Sequence, residues 1–190
     1  MPSLRARLLR PLLRRLLKPR LSGNASLESQ RAALRIWARL GRLPRGTQIE
    51  RETLGGRPAE RIWSRKTTGD HGQPEAQPAI LLLHGGGYCW GGLDTHREFA
   101  ARIAHATGWH VHVVDYRLAP EHPCPAAIDD AVAACRELQS TGRVGQVSVV
   151  GDSAGGGLAL AVMLRLRDAG DRLPDGAGLV SPWGGLTHSG

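Results

Sequence analysis

Ser153 lies at the centre of the segment of this chain that is best suited to covalent chemistry. It is the middle residue of Gly151-Asp152-Ser153-Ala154-Gly155, which follows a short apolar, β-branched run. A serine at a sharp strand-to-helix turn needs small neighbours two positions before and after it, because side chains there would clash. The following helix directs N–H groups and its positive dipole end at the serine hydroxyl. The pattern predicts acyl transfer, with Ser153 as the nucleophile on an elbow formed by Gly151, Asp152 and Gly155.

A second glycine-rich segment supplies the other half of that chemistry. His84-Gly85-Gly86-Gly87 follows another apolar run of the kind that forms a buried strand. Successive glycines let the backbone approach a substrate closely and present N–H donors to it. With the N–H of Ala154, such donors would hold the negative oxygen of a tetrahedral intermediate. The sequence therefore predicts an oxyanion hole built from Gly85, Gly86, Gly87 and Ala154, with His84 shaping the loop.

Composition and charge exclude several functional classes. The chain has 190 residues, of which 41% are hydrophobic and 22% charged, as in a soluble globular protein. The net charge of +8 arises in residues 1–49, which hold 12 basic residues and one acidic residue. Residues 50–190 hold 13 basic and 16 acidic residues, so no nucleic-acid partner is expected. The three cysteines show no metal-like spacing, and we expect reduced thiols in a cytoplasmic protein without metal or cofactor.

The N-terminal arm has the pattern of an amphipathic helix. Leucines between positions 8 and 17 form one apolar stripe, and the basic residues lie mostly off it. This pattern fits a helix that packs on the rest of the protein, and it also fits a membrane-surface helix or a mitochondrial transit sequence. The favoured interpretation is a helix that packs on the rest of the protein. The apolar run is too short for a signal peptide or a transmembrane span.

Strand and helix patterns alternate along the rest of the chain. A helix is predicted over 26–40 with Ser26 as its N-cap, and a hairpin over 49–64 around Gly55-Gly56. Further strands are predicted at 80–83, 109–114, 147–150 and 177–181, and further helices at 95–107, 125–140 and 158–169. This alternation indicates a mostly parallel α/β sheet with flanking helices.

Together these motifs resemble the hormone-sensitive-lipase-like branch of the α/β-hydrolase esterases. The matching segments are 84–88, 94–97, 115–123, 125–127, 151–156 and 181–183. The resemblance implies an α/β-hydrolase core over residues 46–190, preceded by an N-terminal helical cap over residues 1–45. It also implies a carboxylic ester hydrolase that acts on small esters with short to medium acyl groups.

The resemblance further predicts that two catalytic groups are missing from this sequence. In α/β-hydrolases the nucleophile is followed by an acid and then by a histidine, and the family places these after the seventh and eighth strands. The last strand pattern here is the sixth, and His188 is the single histidine after Ser153. We therefore expect a core truncated after about strand six. Two interpretations stay open: the N-terminal piece of an esterase, and a non-catalytic remnant or ligand-binding module.

Overall fold

The computed structural model describes residues 25–65, 77–142 and 144–184 of the chain. These residues form one six-stranded sheet with helices packed against it. The predicted amphipathic helix of the N-terminal arm lies within residues 1–24, which are outside the described residues. His188 is also outside the described residues.

The described sheet is mixed, with an antiparallel hairpin at one side and four mutually parallel strands at the other. Its strands in chain order are β1 (Thr47–Leu54), β2 (Arg57–Ser64), β3 (Gln77–Leu83), β4 (His110–Val114), β5 (Val144–Asp152) and β6 (Gly176–Val180). In space their order is β1-β2-β4-β3-β5-β6. β2 runs antiparallel to both β1 and β4, whereas the other three pairings are parallel. The predicted hairpin is confirmed, and it turns at Gly55 and Gly56, both with positive φ.

The described residues form four helices, and the last of them begins four residues earlier than its sequence pattern predicts. They are α1 (Leu27–Ala38), α2 (Leu93–Thr107), α3 (Ala126–Ser140) and α4 (Ala154–Asp168). Ser26 caps α1 as predicted, accepting a hydrogen bond from the N–H of Ser29 at 3.3 Å. The pattern places the start of α4 at Leu158, because glycines at 155–157 have poor helix propensity. Packing overrides propensity here, since a Cβ at Gly157 would overlap the carbonyl oxygen of Trp183.

Side chains of β3 enter two apolar cores on opposite faces of the sheet. Leu81 packs with Val149 and with helices α3 and α4, whereas Ile80 and Leu82 pack with Val113 and helix α2. All five side chains are buried. Both faces of β3 are therefore covered, as is usual for a strand inside a parallel sheet. The loop after β3 is thereby held at the carboxyl end of the sheet.

Four features of the described residues bear on the sequence-based expectations. Cys89, Cys124 and Cys135 are all free thiols. No helix in the described part of the chain is long and apolar enough to cross a membrane. The same residues contain no group of three or more His, Cys, Asp or Glu side chains placed to hold a metal ion. At the sheet edge, Leu179 and Val180 of β6 are 37% and 48% exposed.

Candidate active site

Ser153 forms the turn between β5 and α4. Its backbone has φ 50° and ψ −118°, a conformation that residues with side chains rarely adopt. Two hydrogen bonds hold the turn: the Ser153 N–H donates to the Val180 carbonyl at 2.9 Å, and the Trp183 N–H donates to the Ser153 carbonyl at 2.8 Å. Ser153 is exposed, and its hydroxyl makes no hydrogen bond to any described residue. The turn therefore presents a free hydroxyl at the carboxyl end of β5.

The positions on either side of this turn must be glycine, because a side chain there would overlap neighbouring backbone atoms. A Cβ at Gly151 would overlap the carbonyl oxygen of Gly155. A Cβ at Gly155 would overlap the carbonyl oxygen of Leu83 and lie 2.7 Å from that of His84. Neither glycine has a positive φ, so the constraint is steric. This close packing sets the first turn of α4 against the end of β3, next to the glycine loop.

The glycine loop leaves backbone donors unused near Ser153. Gly86 and Gly87 have φ of 126° and 57°. A Cβ at Gly86 would overlap the carbonyl oxygen of Trp90, whose N–H donates to the Gly86 carbonyl at 2.8 Å. Within the described residues, the N–H groups of Gly86, Gly87 and Ala154 donate to no protein acceptor. Three free donors thus lie at the end of the sheet that carries Ser153.

Gly85 differs from the two glycines that follow it. Its N–H donates to Oδ1 of Asp152 at 2.9 Å and lies 3.3 Å from Nε2 of His96. The Gly85 N–H is therefore already used inside the protein in this conformation, and its contribution to an oxyanion hole stays a prediction. Of the four predicted donors, those of Gly86, Gly87 and Ala154 are free within the described residues.

His84 is buried beneath the same loop. Its ring stacks on Tyr116 with the centroids 4.1 Å apart, and its Nδ1 lies 3.0 Å from the carbonyl oxygen of Gly85. The Tyr116 hydroxyl donates to the His84 carbonyl at 2.6 Å. Burial lowers the pKa of His84 from 6.5 to about 4. A neutral, enclosed imidazole supports the loop and is out of reach of a substrate.

Lowering the pH from 7 to 4 should destabilise the fold through His84. Between pH 6.5 and about 4 the unfolded chain binds a proton on this imidazole that the folded chain does not, so the free energy of unfolding falls with the pH. The expected loss is about 3 kcal/mol. His110, whose pKa burial also lowers to about 4, acts in the same direction. Urea unfolding at several pH values should show that the free energy of unfolding depends less on pH in His84→Asn than in wild type. An equal pH dependence in the two proteins would contradict this assignment.

Aromatic side chains border the glycine loop, and the sequence motifs did not identify them as part of the site. A Cβ at Gly87 would lie 3.3 Å from the ring of Trp90 and 3.9 Å from that of Trp183. The rings of Tyr88 and Trp183 are 6.2 Å apart. Tyr88 follows β3 and Trp183 follows β6, so only the order of the strands brings these residues together. They form an apolar border beside the unused N–H groups.

Arg31 connects α1 to two loops near this site. Its guanidinium donates to the carbonyl oxygens of Cys89 and Ala119, each at 2.8 Å. It also donates to both carboxylate oxygens of Glu121, at 2.7 and 2.9 Å. No motif pointed to Arg31, because these partners lie 58 to 90 positions away in the sequence. The predicted cap over residues 1–45 remains a prediction, since residues 1–24 are not described.

The sequence matches a known family over the part of the chain that carries this site. Residues 80–190 match the model of a family with the α/β-hydrolase fold, and the chain belongs to that family. Within it, the relatives identify the chain as a hormone-sensitive-lipase-like hydrolase. The resemblance that the sequence motifs indicated is therefore confirmed.

Three similar proteins illustrate the relationship. The crystal structure of an esterase from the bacterial hormone-sensitive lipase family has a TM-score of 0.79 and 34% identity, covering 96% of this chain and 59% of that chain. An acetyl-hydrolase of Streptomyces hygroscopicus is 41% identical over 140 residues, which are 72% of this chain and 47% of the relative. The putative acetyl-hydrolase LipR of Mycobacterium tuberculosis is 33% identical over 187 residues, 97% of this chain and 58% of the relative. The chain thus spans 47% to 59% of the lengths of these proteins.

Proposed function

We propose that this chain is part of a carboxylic ester hydrolase in which Ser153 is the nucleophile and Gly86, Gly87 and Ala154 form the oxyanion hole. The observation that carries the proposal is an exposed serine hydroxyl on a strained turn, at the same end of the sheet as three unused N–H donors. The esterase and acetyl-hydrolase names of the relatives support small esters as the substrates.

The reaction follows from the roles of these groups. The Ser153 hydroxyl oxygen attacks the ester carbonyl carbon while its proton passes to a general base. The carbonyl oxygen becomes negatively charged, and the free N–H groups and the N-terminus of α4 stabilise that charge. Collapse of the intermediate releases the alcohol, which takes up the proton, and leaves the acyl group on Ser153. Water then attacks this acyl ester, which releases the carboxylic acid and restores the hydroxyl.

The general base is the part of this reaction that the described residues do not supply. None of the described histidines is hydrogen-bonded to the Ser153 hydroxyl. In the α/β-hydrolase order, the acid and the histidine of the triad come after the nucleophile. We propose that both groups follow the six described strands. The same observation favours the second candidate, a non-catalytic ligand-binding module that keeps the oxyanion site but lacks turnover.

Hydrolysis of a short-chain aryl ester distinguishes the two candidates. We expect enzyme-like turnover from the protein made from its complete coding sequence. The 190-residue polypeptide alone should reach at most about 10³ to 10⁴ times the rate in water, because none of its described histidines is hydrogen-bonded to the Ser153 hydroxyl. Enzyme-like turnover by the 190-residue polypeptide would contradict the proposed need for a later base. Absence of turnover in both would favour the binding module.

Gly86→Ala should lower kcat for the same ester by about 10²-fold, as expected for a lost oxyanion donor. Its Cβ would overlap the carbonyl of Trp90, so the backbone must turn away from its present position. The matched control is Gly56→Ala in the hairpin, where φ is 73° and nothing lies within 4 Å of the added Cβ. The control carries the same kind of left-handed strain without touching the loop. Equal kcat values for the two variants would remove Gly86 from the proposed oxyanion hole.

A further inference from the structure

We infer that Asp152 and His96 are positioning residues that hold the Gly85 N–H and thereby set the direction in which the N–H groups of Gly86 and Gly87 point. This inference rests on the proposed function of the glycine loop. Asp152 ends β5, His96 belongs to α2 and Gly85 lies in the loop after β3. Their contacts therefore join the three segments that surround the proposed site.

The three groups form a closed set of contacts. Oδ1 of Asp152 accepts from the Gly85 N–H at 2.9 Å and lies 3.2 Å from Nε2 of His96. Nε2 of His96 lies 3.3 Å from the Gly85 nitrogen. On the far side of the ring, Nδ1 of His96 lies 2.9 Å from the Thr95 hydroxyl, which donates to the Gly92 carbonyl at 2.9 Å. The imidazole is thus anchored at both nitrogens.

The hydrogen-bond roles follow from the Thr95 hydroxyl. Because its proton goes to the Gly92 carbonyl, its oxygen accepts from Nδ1–H of His96. In a neutral His96, Nε2 then carries a lone pair, and the Gly85 N–H is shared between Nε2 and Asp152. In a protonated His96, Nε2–H donates to Asp152 instead. The Gly85 N–H keeps the Asp152 oxygen as its acceptor in both states.

The Asp152 carboxylate provides a charged acceptor at this point. Burial by itself raises the pKa of Asp152, but His96, when its ring is protonated, and the Gly85 N–H outweigh it, so the pKa lies below its ordinary value. A hydrogen bond to an ionised acceptor is about twice as strong as one between neutral groups. A Cβ at Gly85 would overlap this carboxylate, so only glycine allows the approach. One strong bond thus links the residue before Ser153 to the residue before Gly86.

Steady-state kinetics on the protein from its complete coding sequence tests the catalytic part of the inference. Asp152→Ala should lower kcat for a short-chain aryl ester by about 10²-fold, the cost of misplacing a reacting group by about 1 Å, with little change in KM. Asp152→Asn should recover part of the loss, because its amide oxygen still accepts from the Gly85 N–H. His96→Ala should lower kcat by about tenfold, since Asp152 remains as an acceptor.

A second carboxylate and histidine pair supplies the matched control. Glu52 and His112 are 2.6 Å apart, on β1 and β4, and neither contacts the glycine loop. Glu52→Gln should therefore keep the wild-type kcat. A loss of kcat in Glu52→Gln as large as that in Asp152→Ala would overturn the inference, because the effect would then be one of general stability.

Amide hydrogen exchange tests the same inference without relying on turnover. Mass spectrometry of the segment 84–90 should show faster exchange in Asp152→Ala than in wild type, and wild-type exchange in Glu52→Gln. If Asp152→Ala fails to fold, hydrogen exchange in Asp152→Asn and His96→Ala is compared with that in wild type instead. Unchanged exchange in the loop, or faster exchange with an unchanged kcat, overturns the inference. If the wild type hydrolyses no ester, the proposed function fails, and exchange alone decides whether Asp152 holds the loop.

Discussion

Ser153→Ala should reduce kcat for hydrolysis of a short-chain aryl ester by about 10⁶-fold in the protein made from its complete coding sequence. The substitution removes the one oxygen proposed to attack the substrate and leaves Cβ in place. The hydrogen bonds that hold the turn use the backbone of Ser153, so they are kept. The fold and the affinity for the ester should therefore change little, and the loss should fall on kcat.

The control for this loss is Ser148→Ala on the same strand. It deletes the same hydroxyl from β5, but residue 148 is within the paired part of the strand, opposite Gly176 of β6. Its kcat should equal that of wild type. A second readout is intact-protein mass spectrometry after mixing with an activated ester, where wild type should gain one acyl group and Ser153→Ala none. Turnover retained in Ser153→Ala would remove Ser153 from the mechanism.

The features that could be predicted from the sequence are those whose cause is local. Gly151 and Gly155 are spaced by the geometry of a single turn, so their pattern indicates that turn where it lies between a strand and a helix. The hairpin at Gly55 and the cap at Ser26 are likewise set by a few neighbouring residues. The apolar runs identified the buried strands, because burial on both faces leaves few polar positions.

The features that were missed depend on contacts between distant segments. Three consecutive glycines look equivalent in the sequence, yet Gly85 alone meets Asp152, which is 67 positions away. That contact exists because β3 and β5 are neighbours in the sheet and end at the same edge. The bonds of Arg31 to the loop carbonyls have the same origin. Sequence spacing carries no information about which of these donors is already occupied.

Gly155→Ala should destabilise the fold by about 3 kcal/mol or more, at or above the usual cost of overpacking a core. The added Cβ would meet backbone oxygens at the end of β3, and neither oxygen can rotate away as a side chain could. Leu83 is fully buried and paired with Gly151 in the sheet, so β3 cannot move without breaking that pairing. The strain can be relieved only by moving the start of α4 away from β3.

Urea unfolding of the protein from its complete coding sequence measures this effect. Gly184→Ala is the matched control, because nothing lies within 4 Å of its added Cβ, and its stability should stay within about 0.5 kcal/mol of wild type. Moving the start of α4 also moves Ser153 and Ala154 relative to Gly86 and Gly87. The kcat of the folded Gly155→Ala protein should therefore be lower than that of wild type. If Gly155→Ala proved as stable and as active as wild type, the elbow would not pack on β3 this closely. The proximity of the serine to the glycine loop, on which the proposed oxyanion hole depends, would then lose its structural basis.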